Sequence, residues 1–355
     1  MEPARSLVLL VPGRLETWSG GYGYDRRILE GLGRRGWSVT VRALDSSFPR
    51  PSPDARAHAA RELAAIPDGS AVLVDGLALG AMPEEVEREK SRLKLIALVH
   101  HPLAAETGID RDTAASFEQS ERRALAAVRL VVVTSSATAD ALAQYRVGRD
   151  RIVVVEPGTD PAEQAQGSAG GPLHLLCVAA IIPRKGHDLL ARALARIPEA
   201  RWRLTCVGSV RRDPHAVEQL RARLRADGLH DRVLLAGEVD EAKLARWYDA
   251  ADVFVLPTLY EGYGMAVAEA LARGLPVVST ATGAIPDLLS AGAGLVVPPG
   301  DPNALAGALV QVLDPDVRGR LAGGAQQARR RLPTWDEATA TMERALNRAG
   351  QGWPK

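Results

Sequence analysis

Pro257-Thr258-Leu259-Tyr260-Glu261-Gly262-Tyr263-Gly264-Met265-Ala266-Val267-Ala268-Glu269-Ala270 is the stretch whose reading decides the fold. Two acids stand eight positions apart across a glycine turn. The apolar run Asp252–Leu256 precedes them, and an alanine-rich helical run follows, ending at Gly274. Pro276-Val277-Val278-Ser279 is a second apolar run. That order predicts strand, turn, helix and strand, with the turn at the carboxyl end of a parallel sheet, where open α/β sheets bind ligands. Glu261 then projects from the turn, and Glu269 sits about one turn into the helix, toward the same crevice. The helix amino end offers N–H groups and a partial positive charge, which suits a phosphate. Carboxylates beside an anion site make sense when the ligand also carries hydroxyls, and a nucleotide sugar carries both.

The same alternation runs outward in both directions. Apolar β-type runs occur at Leu7–Val11, Ser38–Val41, Ala71–Val74, Leu95–Val99, Leu130–Thr134 and Ile152–Val155. A second series occupies Leu173–Ala179, Arg203–Val207, Val233–Leu235, Val253–Leu256, Val277–Ser279 and Leu295–Val297. Near-continuous apolar strands separated by helical periods predict parallel sheets covered on both faces. Glu156-Pro157-Gly158 through Gly170-Gly171-Pro172 has no period and is rich in Gly, Pro, Ala and Gln, which reads as an interdomain linker. The expected class is α/β, with two doubly wound Rossmann-like domains at 1–165 and 172–334 facing across a cleft.

Composition narrows the function classes. At 355 residues the chain exceeds a single core. Apolar residues make up 46% and charged residues 25%, ordinary for a globular protein. A formal charge of +1 argues against a nucleic-acid binder. No apolar run approaches the roughly eighteen residues of a membrane span, and the amino terminus has no signal-peptide pattern. Cys177 and Cys206 lie within apolar runs and read as reduced core thiols of a cytoplasmic protein.

Several motifs are decoys. Gly31-Leu32-Gly33-Arg34-Arg35-Gly36 matches the dinucleotide fingerprint, but it closes a helix and precedes a strand, the reverse of what that fingerprint requires. This removes the dehydrogenase reading. Asp110-Arg111-Asp112 falls at a helix start and Asp314-Pro315-Asp316 at a helix end, so neither pair reads as a metal site. No metal and no cofactor are expected.

Ile181-Ile182-Pro183-Arg184-Lys185-Gly186-His187 follows the first strand of the second series. Arg184 offers a planar fork matched to phosphate oxygens, and Lys185 a mobile point charge. His187 reads as a surface or cap residue. In the first half, Gly13 through Gly23 forms a loop between strand and helix, whose glycines let backbone approach a ligand. His100-His101-Pro102 closes the fourth run, where a histidine can bond a substrate hydroxyl or handle a proton near neutral pH.

These residues together resemble glycosyltransferase family 4, the retaining enzymes of GT-B architecture. The resemblance spans nearly the whole chain. It includes the Gly20-Gly21 loop, Gly36-Trp37-Ser38-Val39-Thr40-Val41, the strand end at His100, Arg184-Lys185-Gly186 and the E-x7-E pair Glu261 and Glu269. Gly274-Leu275-Pro276-Val277-Val278, Gly283-Ala284-Ile285-Pro286-Asp287 and the run from Gly294 to Asp301 extend it. Thr334-Trp335-Asp336-Glu337-Ala338 resembles the family's closing helix, which implies that 335–350 crosses back to the first domain. The E-x7-E pair is the specific part.

The resemblance implies transfer of a hexosyl group, glucosyl or mannosyl in type, from a UDP or GDP sugar to a hydroxyl acceptor, with retention and without a metal. It further implies that Arg184 and Lys185 bind the diphosphate and stabilise it as it leaves. Glu269 would accept from the ribose, and Glu261 would contact the transferred sugar. Backbone N–H groups around Gly262, Tyr263, Gly264 and Met265 would assist. Gly20 and Gly21 would approach phosphates or acceptor, and His100 would contact the sugar. His101 stands where many relatives carry an acid, so both histidines stay candidates.

A sugar-nucleotide epimerase or a phosphorylase shares the architecture, and so would an inactive sugar-nucleotide-binding protein. The E-x7-E loop with Arg-Lys speaks against the first two, and the full set of side chains against the third. The acceptor, whether small molecule, glycan or lipid, is not encoded in the loops Asp45–Pro53 and Leu103–Arg111. Arg26, Arg27, Arg34 and Arg35 would suit weak contact with an anionic membrane surface, although a solvated basic face is the simpler account.

Overall fold

The apolar runs of both series become strands, and in the central strands the side chains are buried on both sheet faces. The computed structural model describes residues 5–17, 19–197 and 202–350. Among these are twelve strands. The first six are β1 (Ser6–Pro12), β2 (Ser38–Leu44), β3 (Ala71–Asp75), β4 (Lys94–Val99), β5 (Leu130–Val133) and β6 (Ile152–Val154). The second six are β7 (Leu173–Val178), β8 (Trp202–Val207), β9 (Val233–Gly237), β10 (Val253–Leu256), β11 (Val277–Thr280) and β12 (Gly294–Val297). All four residues of β5 and of β10 are buried, as a central parallel strand requires. Edge strand β2 is mostly exposed instead.

Both sheets are parallel throughout, in the orders β2-β1-β3-β4-β5-β6 and β12-β11-β10-β7-β8-β9. Each order reverses once, between β1 and β3 in the first sheet and between β7 and β10 in the second. At such a switch point the loops leaving neighbouring strands diverge to opposite faces and open a crevice. Gly20 and Gly21 follow β1, Arg184 and Lys185 follow β7 and Glu261 follows β10, all strands at these switch points, and His100 follows β4 beside β3. This is the two-sheet GT-B class of α/β fold.

The chain forms two compact units. One holds the residues up to Gly158 together with those from Pro333 onward, and the other runs Thr159–Leu332. Residues 159–165, expected with the first domain, therefore belong to the second. Backbone bonds explain the difference: Ala165 N–H donates to Arg273 O at 3.0 Å and Gly167 N–H to Asp249 O at 2.9 Å. The Ser168 N–H adds a bond to Asp252 Oδ1 at 3.0 Å. Half of the expected linker is thus laid along the second unit.

In the first unit, the helix Gly20–Arg34 starts at Ser19, whose hydroxyl accepts from Tyr22 N–H at 3.1 Å. Helix Trp335–Gly350 packs on it. Gly31 makes that contact possible, since a Cβ there would lie 2.1 Å from Thr339 Oγ1. Trp335 takes the Arg27 guanidinium over its ring, 5.0 Å from the centroid. Glu343 gathers Arg5, Arg35 and Trp37 Nε1 at 2.6, 3.1 and 3.2 Å. The glycine pair Gly31 and Gly33 lies inside the first helix, and Gly36 lies past its end with φ +82, as the rejected fingerprint predicted. No described helix is long and apolar enough to cross a membrane.

Candidate active site

In the second unit, β7 and β10 are neighbours, so the loops at their carboxyl ends meet. The β7 loop carries Arg184 and Lys185 and turns at Gly186 with φ +71. A Cβ at Gly186 would lie 2.0 Å from Pro257 O, so only glycine lets the loops close on each other. The Arg184 carbonyl accepts from Leu259 N–H at 2.7 Å and from the Thr258 hydroxyl at 3.0 Å. Its guanidinium donates to Tyr260 O at 3.0 Å. Lys185 Nζ reaches Glu261 Oε2 at 2.5 Å, both side chains being mostly buried.

Beyond Glu261 the chain enters helix Met265–Ala272, with Gly264 at the cap in a left-handed conformation, φ +98. No side chain caps this helix end. Gly262 and Tyr263 are buried in the turn, where Gly262 O accepts from Ala284 N–H at 3.2 Å. Gly283 passes so close that a Cβ would fall 1.8 Å from Glu261 O. Two cations, an uncapped helix end and a carboxylate therefore share one loop pair. That arrangement can hold an anion together with a hydroxyl-bearing group.

Glu269 lies one turn into the helix and is half-buried. Tyr248 donates its hydroxyl to Glu269 Oε2 at 2.9 Å, and Arg273 lies 4.4 Å over the Tyr248 ring. Burial raises the Glu269 pKa, while the Tyr248 hydrogen bond and Arg273 oppose the rise. The carboxylate is thereby aimed by two residues that the sequence reading did not name.

In the first unit, Gly20 and Gly21 open the helix after β1, and His100 directly follows β4. Gly21 touches the imidazole: a Cβ there would be 3.3 Å from His100 Cδ2. His100 Nε2 lies 3.2 Å from Asp25 Oδ1 and 4.0 Å from Asp75 Oδ2. His101 faces Glu106 instead, at 3.6 Å. Asp25 and Asp75 were absent from the sequence reading. The one available signal was Asp75 closing an otherwise apolar strand, with Asp25 one helical turn after Gly21. Among the described residues this trio is the one set of three metal-type donors within 4.8 Å of one another.

Other expectations resolve differently. His187 is not a surface residue: it is buried, with Nε2 3.6 Å from Cys177 Sγ. The left-handed turn at Gly186 directs the chain inward before the helix begins. Cys177 and Cys206 are free, buried and side by side on β7 and β8. Asp110 caps helix Arg111–Ala127 through Thr113 N–H at 2.7 Å. Asp314, read as closing a helix, caps the next one through Asp316 N–H at 2.8 Å. The four arginines are engaged inside the chain: Arg26 with Leu15 O, Arg27 with Trp335, Arg34 with Asp336 and Arg35 with Glu343.

Comparison with known proteins follows this geometry. Residues 172–315 match the family described as glycosyl transferases group 1, and residues 71–163 match glycosyltransferase family 4. The chain is 37% identical over 231 residues to a D-inositol 3-phosphate glycosyltransferase of Xylanimonas cellulosilytica, covering 60% of this chain and 55% of the relative. It is 31% identical over 275 residues to the protein of that name from Corynebacterium aurimucosum, covering 70% and 65%. The chain thus spans little more than half the length of the first of these relatives. Among solved structures, sucrose-phosphate synthase from Thermosynechococcus elongatus superposes with a TM-score of 0.81 at 22% identity, over 97% of this chain and 98% of that one. Anabaena HepE in complex with UDP-glucose gives 0.75 at 17% identity, over 97% and 99%.

Proposed function

Because this chain belongs to glycosyltransferase family 4, we propose that it moves a hexosyl group from a UDP or GDP sugar to a hydroxyl acceptor, with retention and without a metal. The observation that carries this reading is the Lys185–Glu261 contact beside the uncapped helix end at Gly264. Leaving-group departure builds negative charge on the diphosphate and positive charge on the anomeric carbon. Arg184, Lys185 and the helix end neutralise the first as preorganised charges. To Glu261 we assign contact with the transferred sugar, where the second charge develops. Glu269 accepts from the ribose hydroxyls. Backbone N–H groups from Gly262 to Met265 orient the donor. To Gly20 and Gly21 we assign contact with phosphates or acceptor, and to His100 or His101 contact with a sugar hydroxyl. The acceptor attacks the face that the diphosphate leaves, and a departing oxygen takes its proton.

A thermal-shift panel of nucleoside diphosphates tests the donor half, since a ligand at a hundred times its Kd adds about 2.7 kcal/mol of stability. UDP-glucose, bound in the HepE structure, is the first donor to try. D-inositol 3-phosphate, named in the relatives, is the first acceptor. A panel in which no nucleoside diphosphate raises the melting temperature, and no nucleotide sugar is consumed, would sink the reading.

A further inference from the structure

His100 stands between two carboxylates that arrive from different elements, Asp25 from the helix after β1 and Asp75 from the end of β3. Asp25 is 2% exposed and Asp75 1%. A carboxylate so deeply buried is costly unless hydrogen bonds or an opposite charge offset the lost water. Asp75 Oδ1 accepts from Leu77 N–H at 2.8 Å. Neither oxygen of Asp25 has an aligned hydrogen bond. Among the described residues the imidazole at 3.2 Å is the group placed to balance it.

The surroundings leave the ring little choice of pose. Gly21 meets its Nε2 edge, and Tyr24 packs edge-on with centroids 5.5 Å apart. Burial first, and Asp25 next, keep the Tyr24 phenol neutral. From the end of β5 the Thr134 hydroxyl donates to His100 O at 3.4 Å and brings no charge. On the strand's own side the next titratable group, His101, is occupied by Glu106. The carboxylates that face the ring are therefore Asp25 and Asp75, both at Nε2.

We propose that Asp25 and Asp75 are positioning residues that anchor His100 through Nε2 and keep it an imidazolium, so that it offers Nδ1–H to a substrate oxygen as a fixed donor and not as a base. Burial, the largest single cause, lowers the His100 pKa, but Asp25 and Asp75 together outweigh it and the net direction is upward. Burial raises Asp75 to about 7. An imidazolium, one carboxylate and one protonated acid carry no net charge together, the least costly state for a buried trio. What His100 meets rests on the transferase reading; its charge does not.

Ring-selective NMR of the ligand-free protein, with the His100 signal assigned through His100→Gln, reads that charge directly. His100 is expected to titrate above 6.5, the ordinary imidazole value. Asp25→Asn should lower its proton affinity about tenfold or more, and Asp75→Asn by less. Once transfer is measured, the Asp25→Asn profile of kcat against pH should move to lower pH, because the imidazole must then be protonated without its partner. Wild-type titration at or below 6.5, or an unmoved His100 in folded Asp25→Asn, overturns the proposal whether or not any transfer is found. So does a His100 signal that shifts with Zn2+ and returns with EDTA, which would assign the trio to metal binding. If Asp25→Asn does not fold, the wild-type titration and Asp75→Asn still decide.

Discussion

The Lys185 ammonium stands 2.5 Å from the Glu261 carboxylate although 76 residues separate them in sequence. The contact follows from strand order: β7 and β10 lie side by side where the second sheet reverses direction, so their outgoing loops share one edge. A lysine on such a loop would ordinarily wander in solvent. Here an acid holds it, and Gly186 lets the loops approach closely enough for the pair to form.

Lys185→Ala should lower turnover roughly 10²- to 10³-fold, by analogy with loss of one preorganised oxyanion donor. Single-turnover rates with the identified donor are the measurement. A rate within a few-fold of wild type would remove Lys185 from the leaving-group role.

Glu269→Ala should raise the Kd for the nucleotide sugar and leave kcat at saturating donor nearly unchanged, because ribose contacts need not strengthen in the transition state. Tyr248→Phe should act in the same direction and more weakly, since Tyr248 only aims the carboxylate. Collapse of turnover at unchanged donor affinity would exchange the roles given to the two acids.

Gly186→Ala should cost about 2 kcal/mol or more in urea unfolding, from the left-handed backbone and the collision with Pro257 O. Donor affinity should fall with it, because the displaced loop carries both cations. Gly228 also has positive φ, but a Cβ there meets nothing within 4 Å. Gly228→Ala is the control, and equal losses at the two sites would show that crowding against Pro257 contributes nothing.

Glu121 gives a pH prediction. It is fully buried and accepts from Leu103 N–H at 2.9 Å, holding the segment that follows His100 and His101. Burial raises its pKa from 4.5 to about 8. Below 4.5 the side chain is protonated in both folded and unfolded chains. Between 4.5 and about 8 the unfolded chain releases the proton and the folded chain keeps it. Stability from this group therefore falls as pH rises through that interval, by about 5 kcal/mol in all. Glu121→Gln keeps an acceptor for Leu103 but cannot titrate, so its stability should decline less than wild type between pH 5 and 8. Parallel curves for the two proteins would refute the assignment.

The strands were legible because parallel strands buried on both faces leave unbroken apolar runs. The rejected glycine fingerprint was legible because its position relative to strand and helix is a local matter. The partnership of Lys185 with Glu261 was not, since local pattern does not say which strands become neighbours. Asp25 and Asp75 escaped notice for the same reason: each looks like an ordinary helix or strand-end acid until three elements converge on His100. His187 was misread because a histidine after a glycine resembles an exposed helix start, and only the turn at Gly186 sends it inward to Cys177. The glycine- and proline-rich stretch showed where regular structure stops, but not that its later half would bond to the second unit.

Helix Trp335–Gly350 belongs to the unit that the chain begins. During synthesis, then, the amino-terminal unit must wait for residues 335–350 to leave the ribosome before Trp335 and Thr339 can cover its first helix. The middle segment can complete its own sheet while that wait lasts. A chain stalled or clipped before residue 335 would thus carry a finished 159–332 unit beside a first unit whose opening helix is uncovered, so the damage would surface far in sequence from the break.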